Sequence, residues 1–218
     1  MRWRQYSFPA AVAAVAAIAA IVVLIVNSGG GGGSKNGCAE VAAPTPKSGS
    51  VKKPTLQLTR SKTYLATVET SCGTFVIQLD AKRAPKTGGS FVELAKSGFY
   101  DGLGFHRIAP GFVIQGGDPA GNGSGGPGYK IREQPPKGLI YTEGTVAMAK
   151  GGNEPAGTSG SQFFVVTGGN ANLPPDYALL GRVTSGLEVA HRIEKLASAS
   201  DGPPSRPVVI DKITIAER

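Results

Sequence analysis

Phe105-His106-Arg107-Ile108-Ala109-Pro110-Gly111-Phe112-Val113-Ile114-Gln115-Gly116-Gly117-Asp118 is the stretch on which the reading of the fold turns. Its apolar residues fall into two short runs, around Phe105–Ile108 and Phe112–Gln115. Runs of this length beside Gly and Pro read as short strands. One arginine, Arg107, stands among aromatic and aliphatic neighbours, and a glutamine and two glycines follow it. A second run, Gly160-Ser161-Gln162-Phe163-Phe164-Val165-Val166-Thr167, again sets an amide side chain beside paired aromatics. Together the runs specify an apolar pocket with one fixed cation and a few neutral hydrogen-bonding groups. Such a set is poor for hydrolysis and well suited to gripping a peptide and polarising an amide.

Outward from these runs the same pattern continues. Residues 64–70 and 74–80 alternate with period two and read as strands, with Ser71-Cys72-Gly73 as their turn. Pro85 stands near the start of a helix that puts Phe91, Leu94 and Ala95 on one face and stops at Gly98. Further strands read near residues 145–149, 163–167, 178–183 and 208–215, and a second amphipathic helix over 187–196. A loop rich in Gly and Pro spans 116–142. About eight strands with two separated helices predict a mainly β domain, a closed eight-stranded antiparallel barrel capped by the helices. The helices are too few and too far apart for repeated βαβ units.

The net charge of +8 is unevenly placed. Residues 1–62 carry eight basic residues and one acid, while the rest carries fifteen basic and fourteen acidic residues. The basic character therefore belongs to the N-terminal part, and no basic stripe with interleaved aromatics points to nucleic acid. Residues 8–26 are 19 residues without a charge. At about 1.5 Å per residue they nearly match a hydrocarbon core of roughly 30 Å. Arg2 and Arg4 precede the run, which keeps residues 1–7 cytoplasmic and sends the rest outside. The run reads as an uncleaved single-pass anchor in the cell membrane rather than a cleaved signal peptide, because no small-x-small site closely follows Val26. Residues 27–62, with five consecutive glycines and later Pro-Lys segments, read as a flexible linker, and 63–218 as the folded domain.

Some motifs carry no chemistry. Gly121 to Gly126 spell G-x-G-x-x-G, but no strand-to-helix unit surrounds them, so the run reads as a flexible loop. No G-x-S-x-G elbow is present. On a strand His106 and Arg107 point to opposite faces, which makes His106 a buried structural residue; His191 reads as a surface or interface residue. Cys38 and Cys72 are too far apart for a C-x-x-C motif. In an oxidising compartment they form a disulfide that pins the linker to the first hairpin, or else stand as two free thiols. Arg107 also keeps two readings: a salt bridge that ties the sheet to a loop acid, or a substrate-facing donor held by Gln115 or Gln162.

The domain resembles the cyclophilin-type peptidyl-prolyl isomerases from about Tyr64 to Ile215. The runs F-H-R-I-A-P-G-F-V-I-Q-G-G-D and G-S-Q-F-F carry the resemblance, with support from A-P-K-T (84–87), G-F-Y-D-G (98–102) and G-P-G-Y (126–129). It implies that Arg107 is the catalytic arginine, that Phe112, Val113 and Phe164 line a proline pocket, and that Leu173 forms its rim. It makes Gln115 and Gln162 positioning groups for the arginine and the substrate backbone, and lays Ala149 along the peptide groove. Here Asn172 precedes Leu173 where many family members have Trp, Tyr177 replaces a common His, Val113 a common Met, and Lys150 a common Asn.

The implied chemistry needs no cofactor and no metal. Proline-containing unfolded or extended polypeptides are the expected partners, and a monomer the expected state. Turnover would come from an Arg107 N–H that binds the proline nitrogen once the amide twists. The alternative is a proline-binding holdase with little turnover, motivated by Asn172, Lys150 and Tyr177.

Overall fold

The computed structural model describes residues 37–218. The anchor read at 8–26, its flank at 1–7 and the linker up to residue 36 lie outside the described residues. Among the described residues no helix is long and apolar enough to cross a membrane.

Strands β1 (Tyr64–Thr70) and β2 (Gly73–Leu79) form the hairpin that alternation predicts. Tyr64, Ala66, Val68 and Thr70 are buried on β1, and Phe75, Ile77 and Leu79 on β2. Helix α1 (Pro85–Lys96) starts on its proline. Its first N–H groups lack a local cap; those of Lys86 and Thr87 donate instead to the Glu133 carboxylate at 3.1 and 2.7 Å. The later strands are β3 (Phe105–Ala109), β4 (Val113–Gly116), β5 (Ile131–Arg132), β6 (Thr145–Met148), β7 (Thr158–Ser159), β8 (Phe163–Val166), β9 (Leu179–Ser185) and β10 (Ile210–Glu217). Helix α2 (Leu187–Glu194) lies between the last two.

Eight strands make one antiparallel sheet in the order β10-β1-β2-β9-β6-β8-β4-β3. Strands β5 and β7 pair separately, so the stretch read as one long loop contains a strand. The sheet curls but does not close as a strand-paired barrel, which corrects the sequence expectation. Its edge strands β10 and β3 meet only through the chain that leads into each. There Gly102 N–H donates to Ile210 O, Ile210 N–H to Leu103 O and Phe105 N–H to Val208 O, at 2.7, 2.8 and 3.0 Å. Further along, Gly202 exchanges two hydrogen bonds with Ile108, and this loop takes the place beside β3 that β10 would need.

The central strands β6 and β8 are buried on both faces. Phe163 and Val165 face the main core with Phe75, Phe91, Tyr100 and Phe105, while Phe164 and Val166 face a second apolar cluster with Val113, Tyr141 and Ala147. The paired phenylalanines of the G-S-Q-F-F run therefore serve opposite sides of one sheet. Phe163 packs edge-on against Phe91, Tyr100 and Phe105 at centroid distances of 5.8, 5.9 and 6.1 Å.

Residues 37–62 do not behave as the free linker their composition describes. They run extended along the domain with few apolar side chains but repeated backbone pairing. N–H groups of Ala39, Lys47, Val51 and Leu58 donate to the carbonyls of Ser71, Pro119, Pro127 and Pro85 at 2.7, 2.8, 2.9 and 3.0 Å. Cys38 is joined to Cys72 by a disulfide, and Leu58 is buried in the main core. Burial of a leucine is worth roughly 2 kcal/mol. The bond spans 34 residues, for which loop entropy gives roughly 4 kcal/mol. Helix α1 receives this strap through Gly88 and Gly89. A Cβ at Gly89 would lie 2.0 Å from the Leu56 carbonyl oxygen, and one at Gly88 2.4 Å from Leu58 Cδ1.

Two outcomes follow from the strap. Gly89→Ala, which in an exposed helix adds up to about 1 kcal/mol of stability, is expected here to lower Tm and to raise hydrogen exchange over residues 50–58; an unchanged or higher Tm would contradict the seat on α1. Cys38→Ser is expected to lower the denaturant midpoint by an amount equal to roughly 2–4 kcal/mol, and full alkylation of the unreduced wild-type chain would rule the bond out.

Candidate active site

The second apolar cluster opens at the surface into a cavity of about 150 Å³. Arg107, Phe112, Val113, Gln115, Ala149, Lys150, Phe164, Leu173 and Tyr177 line it. An adjoining cavity of about 230 Å³ shares Gln115, Ala149 and Lys150 and adds Gln162 among its walls. The structure thus brings together every residue that the sequence places in the pocket. It puts Cys38 and Cys72 elsewhere, where the strap begins.

Sheet register sets the floor. Arg107 on β3 is opposite Gln115 on β4, and Gln115 is opposite Phe164 on β8. The walls come from loops, and a side chain fastens each one. Phe112 follows a turn at Gly111, whose N–H donates to Glu194 Oε1 at 2.7 Å. Thr167 and His191 also bond this carboxylate. Burial alone would raise the Glu194 carboxyl, but the bonds from Thr167, Gly111 and His191 hold it below its usual range. His191, read as a surface or interface residue, also pairs with Glu143 at 3.0 Å. Tyr177 is pinned by the buried Tyr141 hydroxyl, which donates to Tyr177 O at 2.6 Å and accepts its N–H at 3.1 Å. Burial pushes the Tyr141 phenol up to about 12. The rings of Phe164 and Tyr177 then meet edge-on at 5.5 Å.

Arg107 makes the ion pair with a loop acid that its first reading describes, and Gln115 holds it as the second reading expects. Its Nε and Nη2 donate to the two carboxylate oxygens of Asp201 at 2.7 Å each, and Nη1 donates to Gln115 Oε1 at 3.1 Å. The Gln115 amide nitrogen donates to Gln162 Oε1 at 3.0 Å, and Gln162 Nε2 donates to the carbonyls of Gly123 and Gly125 at 2.9 Å each. Those carbonyls belong to a loop wound around the buried Asp118 carboxylate, which accepts the N–H groups of Ala120, Asn122 and Gly123. A Cβ at Gly125 would lie 2.1 Å from Asp118 Oδ1, so this position needs glycine. The glycine run read as flexible is thus wrapped on an acid.

One expectation fails locally. A bulge between Phe105 and Arg107 breaks alternation on β3. His106 and Arg107 therefore do not occupy opposite sides: His106 Nε2 lies 3.5 Å from the Gln115 amide nitrogen. Burial lowers the His106 pKa, with Asp118 opposing and Arg107 reinforcing the shift. Sequence reading missed Asp201, Asp118 and Tyr141. Asp201 sits in a Ser-Ala-Ser-Asp-Gly-Pro-Pro turn that spells only a loop. Asp118 had a signal, since it ends the decisive stretch directly after two glycines.

An arginine fixed in this way presents the remaining N–H groups of Nη1 and Nη2, which have no protein acceptor among the described residues, beside an apolar cavity. Five N–H donors less the three engaged leave two. The arrangement can bind a neutral acceptor on an apolar ligand.

Comparison with known proteins identifies one family. Residues 65–215 match the family described as cyclophilin type peptidyl-prolyl cis-trans isomerase/CLD. The chain is 40% identical over 172 residues to peptidyl-prolyl cis-trans isomerase A of Mycobacterium tuberculosis, which covers 71% of this chain and 93% of that protein. It is 37% identical over 165 residues to peptidyl-prolyl cis-trans isomerase-like 2 of Cryptococcus neoformans, covering 72% of this chain but 28% of that longer relative. A crystal structure of a Cryptosporidium parvum cyclophilin type peptidyl-prolyl cis-trans isomerase superposes with a TM-score of 0.66 at 30% identity, over 71% of this chain and 98% of the other. The same protein in the presence of the dipeptide Ala-Pro gives 0.65 at 31% identity, over 70% and 98%. This chain therefore belongs to the cyclophilin-type peptidyl-prolyl cis-trans isomerase family.

Proposed function

We propose that the domain accelerates cis-trans isomerisation of X-Pro bonds, with Arg107 as its catalytic residue. The observation that carries this reading is a guanidinium clamped on one edge and open on the other, at the mouth of an apolar cavity of about 150 Å³.

The X-Pro bond turns slowly because amide resonance must be lost, at a cost of roughly 18–20 kcal/mol. In the twisted state the proline nitrogen regains its lone pair and becomes an acceptor. An N–H of Arg107 aimed at it binds that state better than either planar ground state. Phe112, Val113 and Phe164 hold the ring and exclude water, which strengthens the contact. Ala149 and Gln162 lie along the groove and hold the substrate backbone, while Leu173 and Tyr177 close its rim.

Clients follow from the setting. The Cys38–Cys72 disulfide supports an oxidising compartment, and the charge-free run at 8–26 behind Arg2 and Arg4 supports an anchored domain outside the cytoplasmic membrane. Chains that emerge unfolded there meet proline isomerisation as a slow step.

Arg107→Ala is expected to lower kcat/KM on a proline tetrapeptide by on the order of 100-fold, with Tm little changed. Arg107→Lys, which keeps the charge but loses the planar fork, is expected to fall nearly as far. The chain from residue 33 onward suits the assay because it retains every described residue, the strap included. Undiminished turnover in both variants would sink the assignment of Arg107. A wild-type protein that protects an aggregating client without accelerating isomerisation would instead identify a holdase.

A further inference from the structure

We propose that Asp201 is a positioning residue for Arg107, one that sets the plane of the guanidinium so that Nη1 and Nη2 face the cavity; the inference rests on the isomerase reading above. Its carboxylate accepts from Nε and Nη2 in a two-point fork, both contacts at 2.7 Å. A one-point contact would leave the guanidinium free to turn about the bond to Nε. Two parallel contacts fix it. The Gln115 contact, longer at 3.1 Å, is a single bond and cannot do this alone.

The loop that carries Asp201 is built to hold it there. Gly202, its neighbour, exchanges two backbone hydrogen bonds with Ile108, the neighbour of Arg107, at 2.7 and 3.1 Å. Downstream, Ser205 N–H donates to Leu196 O at 2.7 Å, and Ser198 Oγ to Pro203 O at 2.6 Å. Asp201 and Arg107 thus ride on two segments stitched together one residue away from each.

The pair adds little to folding stability. Asp201 is 53% exposed and Arg107 33%, a setting in which ion pairs stabilise weakly. What it supplies is orientation. Errors of direction at a donor near the reacting atoms cost rate far more than they cost binding. The carboxylate also offsets the charge of Arg107, which favours a neutral acceptor such as a proline nitrogen over an anionic side chain.

Steady-state kinetics and NMR on the chain from residue 33 test this. Asp201→Ala is expected to lower kcat about tenfold with KM within twofold, a split that follows from a contact realised only in the transition state. Asp201→Asn, whose amide oxygen still accepts one N–H, is expected to recover part of the loss. Tm should move little in both variants. The Arg107 Nε–H resonance should be protected from exchange in the wild type and should lose that protection in Asp201→Ala. A kcat within twofold of wild type, or unchanged Nε–H protection, overturns the inference. Wild type without turnover fails the isomerase reading instead, and the Nε–H protection then reads the clamp on its own.

Discussion

A cation at the mouth of an apolar cavity must be held by acceptors on one side and left open on the other. Arg107 meets this requirement through a chain of neutral amides that begins at a buried acid. Asp118 winds the 118–125 loop, the loop carbonyls fix Gln162, Gln162 fixes Gln115, and Gln115 meets the guanidinium. Asp201 closes the circuit from the opposite edge. Neutral links pass orientation to the guanidinium without adding charge beside it. The single bulge on β3 belongs to the same device, since it brings His106 as well as Arg107 to the Gln115 side.

The sheet supplies the second constraint. Strands β6 and β8 are apolar on both faces because one face closes the main core and the other floors the cavity. This was legible in the sequence as paired aromatics and aliphatics without alternation, and the helices and the β1–β2 hairpin were legible through their periods. The pocket residues were legible through the resemblance of two short runs to one family. Asp201 was not, because its partner is 94 residues away and its own neighbourhood is spelled as a turn. Register and long-range pairing leave no local period to read. The same holds for the open edge of the sheet, where the loop that Gly202 lays against Ile108 occupies the place beside β3 that a closing strand would need.

The strap shows where composition misleads. Residues 37–62 carry few apolar side chains, and a solvated linker is the natural reading. Yet an extended segment can be held by backbone bonds to existing loops if a few points fix its ends. Cys38 and Leu58 provide those points. The clue lay outside the segment, in the adjacent Gly88 and Gly89 of α1, which give up helix propensity to let Leu56 and Leu58 approach. A pair of glycines inside an amphipathic helix therefore reads better as a seat for another chain segment than as a weakness.

The fastening of the walls fits the chemistry. Glu194 holds the Gly111 turn, Tyr141 the backbone of Tyr177, Asp118 the glycine loop, and Gly202 the loop of Asp201. Each wall is a loop, and loops are the parts of a domain most prone to local opening. The proposed mechanism asks the substrate to rotate while Arg107 keeps its direction. Separate anchors on each loop meet that demand without a rigid scaffold of longer strands. They also fit the gradient of burial along the network, from the buried Asp118 to the half-buried Arg107 and the exposed Asp201: stiffness is built in the interior, and the open edge lies at the surface.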